Sequence, residues 1–240
     1  MLIDHTNGRV LDVLESREKE VVARWLAAGK ESGLLSAVEE VTCDMWDAYV
    51  EAAKEVFGST IRITIDRFHV MKQLNEALTK CRREIQRGMT KEERDELKGC
   101  RWILVTNESN LDDEQRVRLE DLYKKSPELK TCHKLKEDFR RIFEEETIRA
   151  KAKKRLDAWK RDVTKTGLKS FDAFLGTLDN WEEWILNYFS SGKITNGVVE
   201  GLNNKIKLIK RRAYGYRNNG NFRQRILVEC GEREEQKSGV

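Results

Sequence analysis

ITNGVVEGLNNKIKLIKRRAYGY, residues 194–216, is the stretch from which the rest of the chain is read. Thr195 and Asn196 are residue types that cap helix N-termini, and the pattern after them is helical without a break. Val199, Leu202, Ile206 and Ile209 recur at the spacing of one helix face, while Glu200, Asn203, Asn204 and Lys207 fall at i, i+3, i+4 and i+7 on another. One face suits a core, and the other offers a carboxylate, two amides and an ammonium to solvent. From Lys205 to Arg225 eight cations occur without an acid (Lys205, Lys207, Lys210, Arg211, Arg212, Arg217, Arg223 and Arg225), with Tyr214, Tyr216 and Phe222 interleaved. Such a run fits contact with a phosphate backbone. It also fits a solvated helix end whose cations answer the helix dipole. The single Glu just ahead of the run tips the balance toward phosphate chemistry.

Composition sets the outer bounds. A chain of 240 residues with 39% hydrophobic residues can bury a core, as one large domain or two small ones. A charged fraction of 37% with Pro127 as the lone proline points to helix-rich architecture. The net charge of +4 conceals an asymmetry, because residues 1–60 hold 6 Lys/Arg against 12 Asp/Glu and the remainder holds 40 against 30. An acidic front and a basic back suggest different tasks. Cys43, Cys81, Cys100, Cys132 and Cys230 are scattered without a C-x-x-C pair, which argues against a disulfide framework or a zinc site and for reduced thiols. No apolar run is long enough to span a bilayer and residues 1–15 lack a signal pattern, so a soluble intracellular protein is expected.

The front of the chain alternates strands and helices. Asn7-Gly8 is a hairpin turn signal between a short apolar arm, 1–4, and the alternating stretch 9–15, with Val10, Asp12 and Leu14 on one side. A helix over 17–30, a strand over 38–43 ending at Asp44, a helix over 46–57 and a strand over 61–65 ending at Asp66 complete an α/β unit with parallel neighbours. From residue 69 to 193 the periodicity is helical. Helices are expected over 68–88, after the Thr90/Glu93 capping box, over 111–124, over 127–159 and over 168–189, with residues 102–105 unassigned. The stripe Trp181/Trp184/Ile185/Tyr188 reads as core, and the tail 229–240 as frayed.

Two carboxylates stand where a strand gives way to a helix, Asp44 and Asp66. Strand ends are where α/β proteins place sites, and an Asp before a helix is equally a good N-cap. Hard cations such as Mg²⁺ take carboxylate oxygens, and Glu200 supplies a third acid from a distant element.

VTCDMWDAYVEAAKEVF (41–57), ITIDRFHVMKQLNEA (63–77), LKGCRWIL (97–104) and ITNGVVEGLNNKIKLIKRRAYGYRN (194–218) resemble the ordered blocks of the ISL-three family of insertion-sequence transposases. The resemblance runs over about residues 1–228. It implies a partial RNase H-like α/β core over 1–68, an all-helical insertion over 69–193 and a returning core helix with its basic segment over 194–228. By resemblance Asp44 and Glu200 are two acids of an Asp-Asp-Glu site, and two Mg²⁺ (or Mn²⁺) ions serve the complete enzyme. Double-stranded DNA, as transposon ends and target, is the implied partner, met by Asn203, Asn204, Lys207, Lys210, Arg211, Arg212 and Arg217. Asp66 and His69 match a block near the site without a carried-over role. The implied activity is metal-dependent strand cleavage and strand transfer in a bacterial cytoplasm, with self-association left open. The departure from the family lies at the beginning, where no first strand bearing an Asp matches, so a truncated form is expected and Asp4 and Asp12 are weak substitutes. Two rival readings are a non-catalytic DNA-binding remnant and a helical scaffold or oligomerisation module.

Overall fold

The computed structural model describes residues 1–190 and 197–231. In chain order these form β1 (Leu2–Asp4), β2 (Arg9–Asp12), α1 (Lys19–Glu31), β3 (Glu40–Cys43), α2 (Asp47–Phe57), β4 (Arg62–Ile65), α3 (Arg67–Arg87), α4 (Lys91–Glu96), α5 (Cys100–Val105), α6 (Asp113–Lys125), α7 (Pro127–Glu145), α8 (Arg149–Thr166), α9 (Asp172–Asn187), α10 (Gly197–Arg212) and α11 (Asn219–Cys230). The protein is therefore helix-rich, with strands of only three or four residues. The chain divides into two compact units, one from Met1–Arg62 with Ile194–Val240 and the other from Ile63–Lys193. Among the described residues no helix is long and apolar enough to cross a membrane.

The first unit is built on the hairpin that Asn7-Gly8 announces. β1 and β2 pair antiparallel, with Ile3 opposite Val10 and Asp4 opposite Arg9, and Gly8 takes a positive φ of 65° at the turn. Val10 and Asp12 are the buried pair of β2, as alternation requires. Both faces of the hairpin are nevertheless covered. Val10 and Val13 pack with α10 and α11 around Leu202, Ile209, Ile226 and Cys230, while Leu11 and Leu14 pack with α1 and α2 around Val22, Leu26, Leu35 and Ala52.

Asp12 joins these layers. Its carboxylate accepts from the Arg223 guanidinium at 2.5 and 2.9 Å and from the Trp25 indole N–H at 2.7 Å, which fastens α11 and α1 to one strand residue. Burial alone would raise its pKa, but Arg223, the Val13 N–H and Trp25 outweigh burial and hold it below the usual carboxylate value. The folded pKa is depressed, so the contribution is present above the ordinary carboxylate pKa and is lost as pH falls through the folded value. Asp12→Asn is expected to lower stability by about 2 kcal/mol near neutral pH, measured by urea unfolding, and the gap should close in acid. Asp4 is also engaged, by the Asn7 backbone and side chain and by Arg9 at 3.1 Å. Both weak substitutes for a first metal ligand are thus occupied with structure.

After β4, every described element of the second unit is a helix. The capping box opens α4 as expected, with Thr90 and Glu93 bonding reciprocally. The segment 102–105, unassigned from sequence, is the body of α5, with Ile103 and Leu104 buried and Trp102 exposed. The helix expected over 127–159 is two helices, because Glu146 turns extended (ψ 140°) after α7. Three successive acids, Glu144 to Glu146, oppose the dipole at that C-terminus, and Arg155 of α8 binds Glu145 and Glu146 across the break at 2.8 and 3.0 Å. The helix expected over 168–189 begins instead as a 3-10 turn, Lys169–Phe171, ahead of α9. Phe139 of α7 centres the core, its ring 4.8 Å from Trp159, 5.3 Å from Phe174 and 5.5 Å from Phe143. Of the expected core stripe, Trp181, Ile185 and Tyr188 are buried and Trp184 is half-buried. Cys81 of α3 and Cys132 of α7, read from sequence as reduced thiols, are joined as a disulfide. A pairing 51 positions apart leaves no local signature.

Candidate nucleic-acid interface

α10 runs 16 residues as an amphipathic helix. The cap candidates Thr195 and Asn196 lie outside the described residues, as do residues 232–240 of the tail expected to fray from 229, whose first two residues, Glu229 and Cys230, are the last of α11. The apolar stripe is Val198, Leu202, Ile206 and Ile209, so its first member is Val198 rather than Val199. The two valines are adjacent, and the core selects the one in phase with Leu202. Tyr216 and Phe222 close this core from below, with ring centroids 4.8 Å apart.

The opposite face is open. Glu200, Asn203, Asn204, Lys207, Lys210 and Arg211 are exposed and, among the described residues, carry no hydrogen bond or ion pair from their side chains. At 100° per residue Glu200, Asn203, Asn204, Lys207 and Arg211 fall within about 60° of one line, directly behind the buried stripe. Glu200 lies in the first turn, where the helix dipole favours a negative charge, and the cations gather in the last turn, where it favours positive charge.

The basic run is less free than its sequence suggests. Glu229 of α11 accepts from Arg212 at 2.5 Å and from Arg225 at 2.6 Å, and its backbone carbonyl accepts from the Lys205 ammonium. With Arg223 held by Asp12, four of the eight cations serve the fold. Lys207, Lys210, Arg211 and Arg217 remain exposed, unpaired among the described residues and available to an external anion. Arg212, expected among the DNA contacts, is thus partly neutralised by an acid just beyond the run.

The two strand-end acids separate into different roles. Asp66 is the N-cap of α3, accepting from the Phe68 N–H at 2.8 Å, with His69 Nε2 3.9 Å from its other oxygen. Asp44 is not a cap, because α2 begins at Asp47 and its N-cap position is Trp46, with no side-chain bond. Asp44 instead occupies the turn after β3, exposed, its backbone carbonyl accepting from the Trp46 N–H at 2.8 Å. Its charge reaches Tyr49, whose phenol pKa is raised first by burial and then by Asp44. Asp44 and Glu200 thus belong to the same unit, and Asp66 and His69 to the other. The donor chemistry of Asp44 and Glu200, exposed carboxylate oxygens, fits a hard divalent cation.

The face bears one acid, two amides and cations unpaired among the described residues, over the apolar cluster of Leu202, Ile209, Ile226 and Cys230, and its exposed cations can meet an anion. Residues 1–226 match the profile of the ISL-three group described as Transposase. The chain belongs to the ISL-three family of transposases. It is 28% identical to the transposase for insertion sequence element IS1001 of Bordetella parapertussis, over 92% of this chain and 54% of that protein. It is 25% identical to the transposase for insertion sequence element IS1557 of Mycobacterium tuberculosis, over 90% of this chain and 53% of that protein. The chain therefore spans about half the length of the curated relatives it matches. No solved structure matches it.

Proposed function

We propose that this chain carries the catalytic region of a DDE-type transposase, acting in DNA transposition through metal-dependent strand cleavage and strand transfer. The observation that carries the reading is the two-faced α10, whose apolar stripe is fixed on the hairpin core while Glu200, Asn203, Asn204, Lys207 and Arg211 face outward together. Family membership supports an RNase H-like organisation of the acids. Asp44 and Glu200 would hold Mg²⁺ or Mn²⁺, which when bound polarises the scissile phosphate and acidifies the attacking water. The protein's own part is to fix those carboxylates, with Asn203 and Asn204 orienting the strand by amide hydrogen bonds and Lys207, Lys210, Arg211 and Arg217 neutralising its phosphates. Asp66 and His69 stand near the site by motif order. Duplex DNA is the partner, with the work done in the cytoplasm of a bacterial host.

The binding half of this reading is tested by salt. Each phosphate neutralised contributes about 0.9 to the slope of log affinity against log salt on duplex DNA. The variant Lys207→Ala/Lys210→Ala/Arg211→Ala should lose roughly 2 to 3 from that slope in fluorescence anisotropy titrations. Arg212→Ala, whose charge Glu229 already offsets, should lose less. A triple variant with an unchanged slope would move the DNA contact off α10.

A further inference from the structure

Tyr214 is the one residue of the basic segment whose conformation and exposure neither the fold nor phosphate binding explains. Among the described residues it is the sole non-glycine with a positive φ, 54°. A bulky side chain there is an outlier, since left-handed backbone crowds Cβ and belongs to Gly or Asn. The turn is well formed: Ala213 N–H donates to Ile209 O, Tyr214 N–H to Arg211 O and Gly215 N–H to Lys210 O, all at 3.0 to 3.2 Å. Two residues on, Tyr216 is anchored by Phe222 in the core, so both ends of the turn are held. Tyr214 itself is 102% exposed, the most exposed large hydrophobic residue described. A left-handed helix end is the usual place of Gly or Asn and needs nothing aromatic. A hydrogen-bonded turn that holds a non-glycine residue at positive φ and shows a whole phenol ring to solvent suits a ligand that covers the ring.

The neighbours indicate what that is. Lys210, Arg211 and Arg217 lie within four residues, exposed and without an acid partner among the described residues. An aromatic ring beside unpaired cations is the combination that holds single-stranded nucleic acid, with the ring taking a base face and the cations the adjoining phosphates. In a duplex both faces of an internal base are covered by stacking, so a protruding ring has no such target there. We infer that Tyr214 is a stacking platform for an unpaired nucleobase of the DNA substrate, at a frayed end or in a displaced strand. This inference rests on the reading of α10 as a DNA-binding helix and adds to it that the bound DNA is locally unpaired.

The experiment titrates the 240-residue chain and its variants with three probes: a blunt duplex, the same duplex with a four-nucleotide single-stranded extension, and that extension made of abasic residues. Tyr214→Ala should weaken binding to the extended duplex by roughly 5- to 150-fold, the range of one base stack, while changing blunt and abasic probes less than about twofold. Tyr214→Phe should bind like the parent. A 2-aminopurine in the extension should be quenched on binding by the parent and by Tyr214→Phe, and not by Tyr214→Ala. Tyr214→Gly, which relieves the backbone and should unfold no earlier than the parent, should lose the same affinity and so exclude a folding defect. Equal losses on all three probes, a Phe variant that behaves like Ala, or full affinity without the ring would each overturn the inference. Those results alongside a reduced slope in the Lys207/Lys210/Arg211 variant would leave the reading of α10 standing, whereas an unchanged slope would remove both.

Discussion

Glu137→Ala is expected to destabilise the second unit by about 3–5 kcal/mol, the cost of stranding a buried charge. Lys136 and Glu137 are adjacent on α7 and both are inside the protein, at 0% and 2% exposure. The Lys136 ammonium donates to Glu137 and, at 2.7 Å, to the Thr106 carbonyl. Glu137 also accepts from Arg140 at 2.9 Å and from the Glu108 N–H at 3.2 Å, so one carboxylate answers two cations and a backbone donor. Arg140 has a second acid in Glu144, but among the described residues Lys136 bonds no other carboxylate. Removing Glu137 therefore leaves the ammonium buried with one carbonyl. Burial alone would raise the Glu137 pKa, yet Lys136 and Arg140 outweigh it and hold it below the usual value. The stabilisation is thus present above the ordinary Glu pKa and lost as pH falls through the folded value. Urea unfolding at neutral pH should show the full deficit, shrinking in acid. The double variant Lys136→Met/Glu137→Leu, which removes both charges, should be less damaging than Glu137→Ala alone. Burial already holds the Lys136 pKa below the usual lysine value, so a deficit under about 1 kcal/mol for Glu137→Ala would mean that Lys136 sheds its proton or reaches water when unpaired.

That network also shows where sequence reasoning stops. In α7 a Lys-Glu pair next to Leu135 reads as the solvated edge of an amphipathic helix, and only the packing of neighbouring elements around Leu129, Phe139 and Phe143 makes it interior. α10 was legible because its two faces differ chemically and repeat at 3.6 residues, so period alone separates Leu202, Ile206 and Ile209 from Asn203, Asn204 and Lys207. The first residue of the stripe was not, because Val198 and Val199 are chemically alike and phase is fixed by the partner surface. The state of the basic run was hidden for a different reason: Glu229 lies beyond the run's end and reaches Arg212 across 17 positions, a distance that requires α11 to fold back. Asp44 and Asp66 look equivalent in sequence, each between a strand and a helix. The register of the first helical turn distinguishes them, since α3 starts one residue after Asp66 and α2 three residues after Asp44. The pairing of Cys81 with Cys132 is a property of helix packing and of nothing nearby in the chain.

The same distinction sets the strongest functional expectation. With Asp44 and Glu200 as ligands of a divalent cation, Asp44→Asn and Glu200→Gln should each reduce strand cleavage by more than about 100-fold, since even residues that only support a metal's ligands cost 10- to 100-fold. Asp66→Asn should cost far less if its work is to cap α3, because Asn caps as well as Asp. The assay is Mg²⁺-dependent nicking of a duplex transposon end, made with the 240-residue chain and with a version lengthened to the span of its relatives. Loss of activity alone does not prove ligation, so the decisive variant is Asp44→Cys. A thiolate is a poor ligand for hard Mg²⁺ and a tolerable one for softer Mn²⁺. Asp44→Cys should therefore be inactive in Mg²⁺ and regain cleavage in Mn²⁺, a metal-specific rescue that a positioning or capping role cannot produce. Equal activity of Asp44→Asn and the parent in both metals would remove Asp44 from the site.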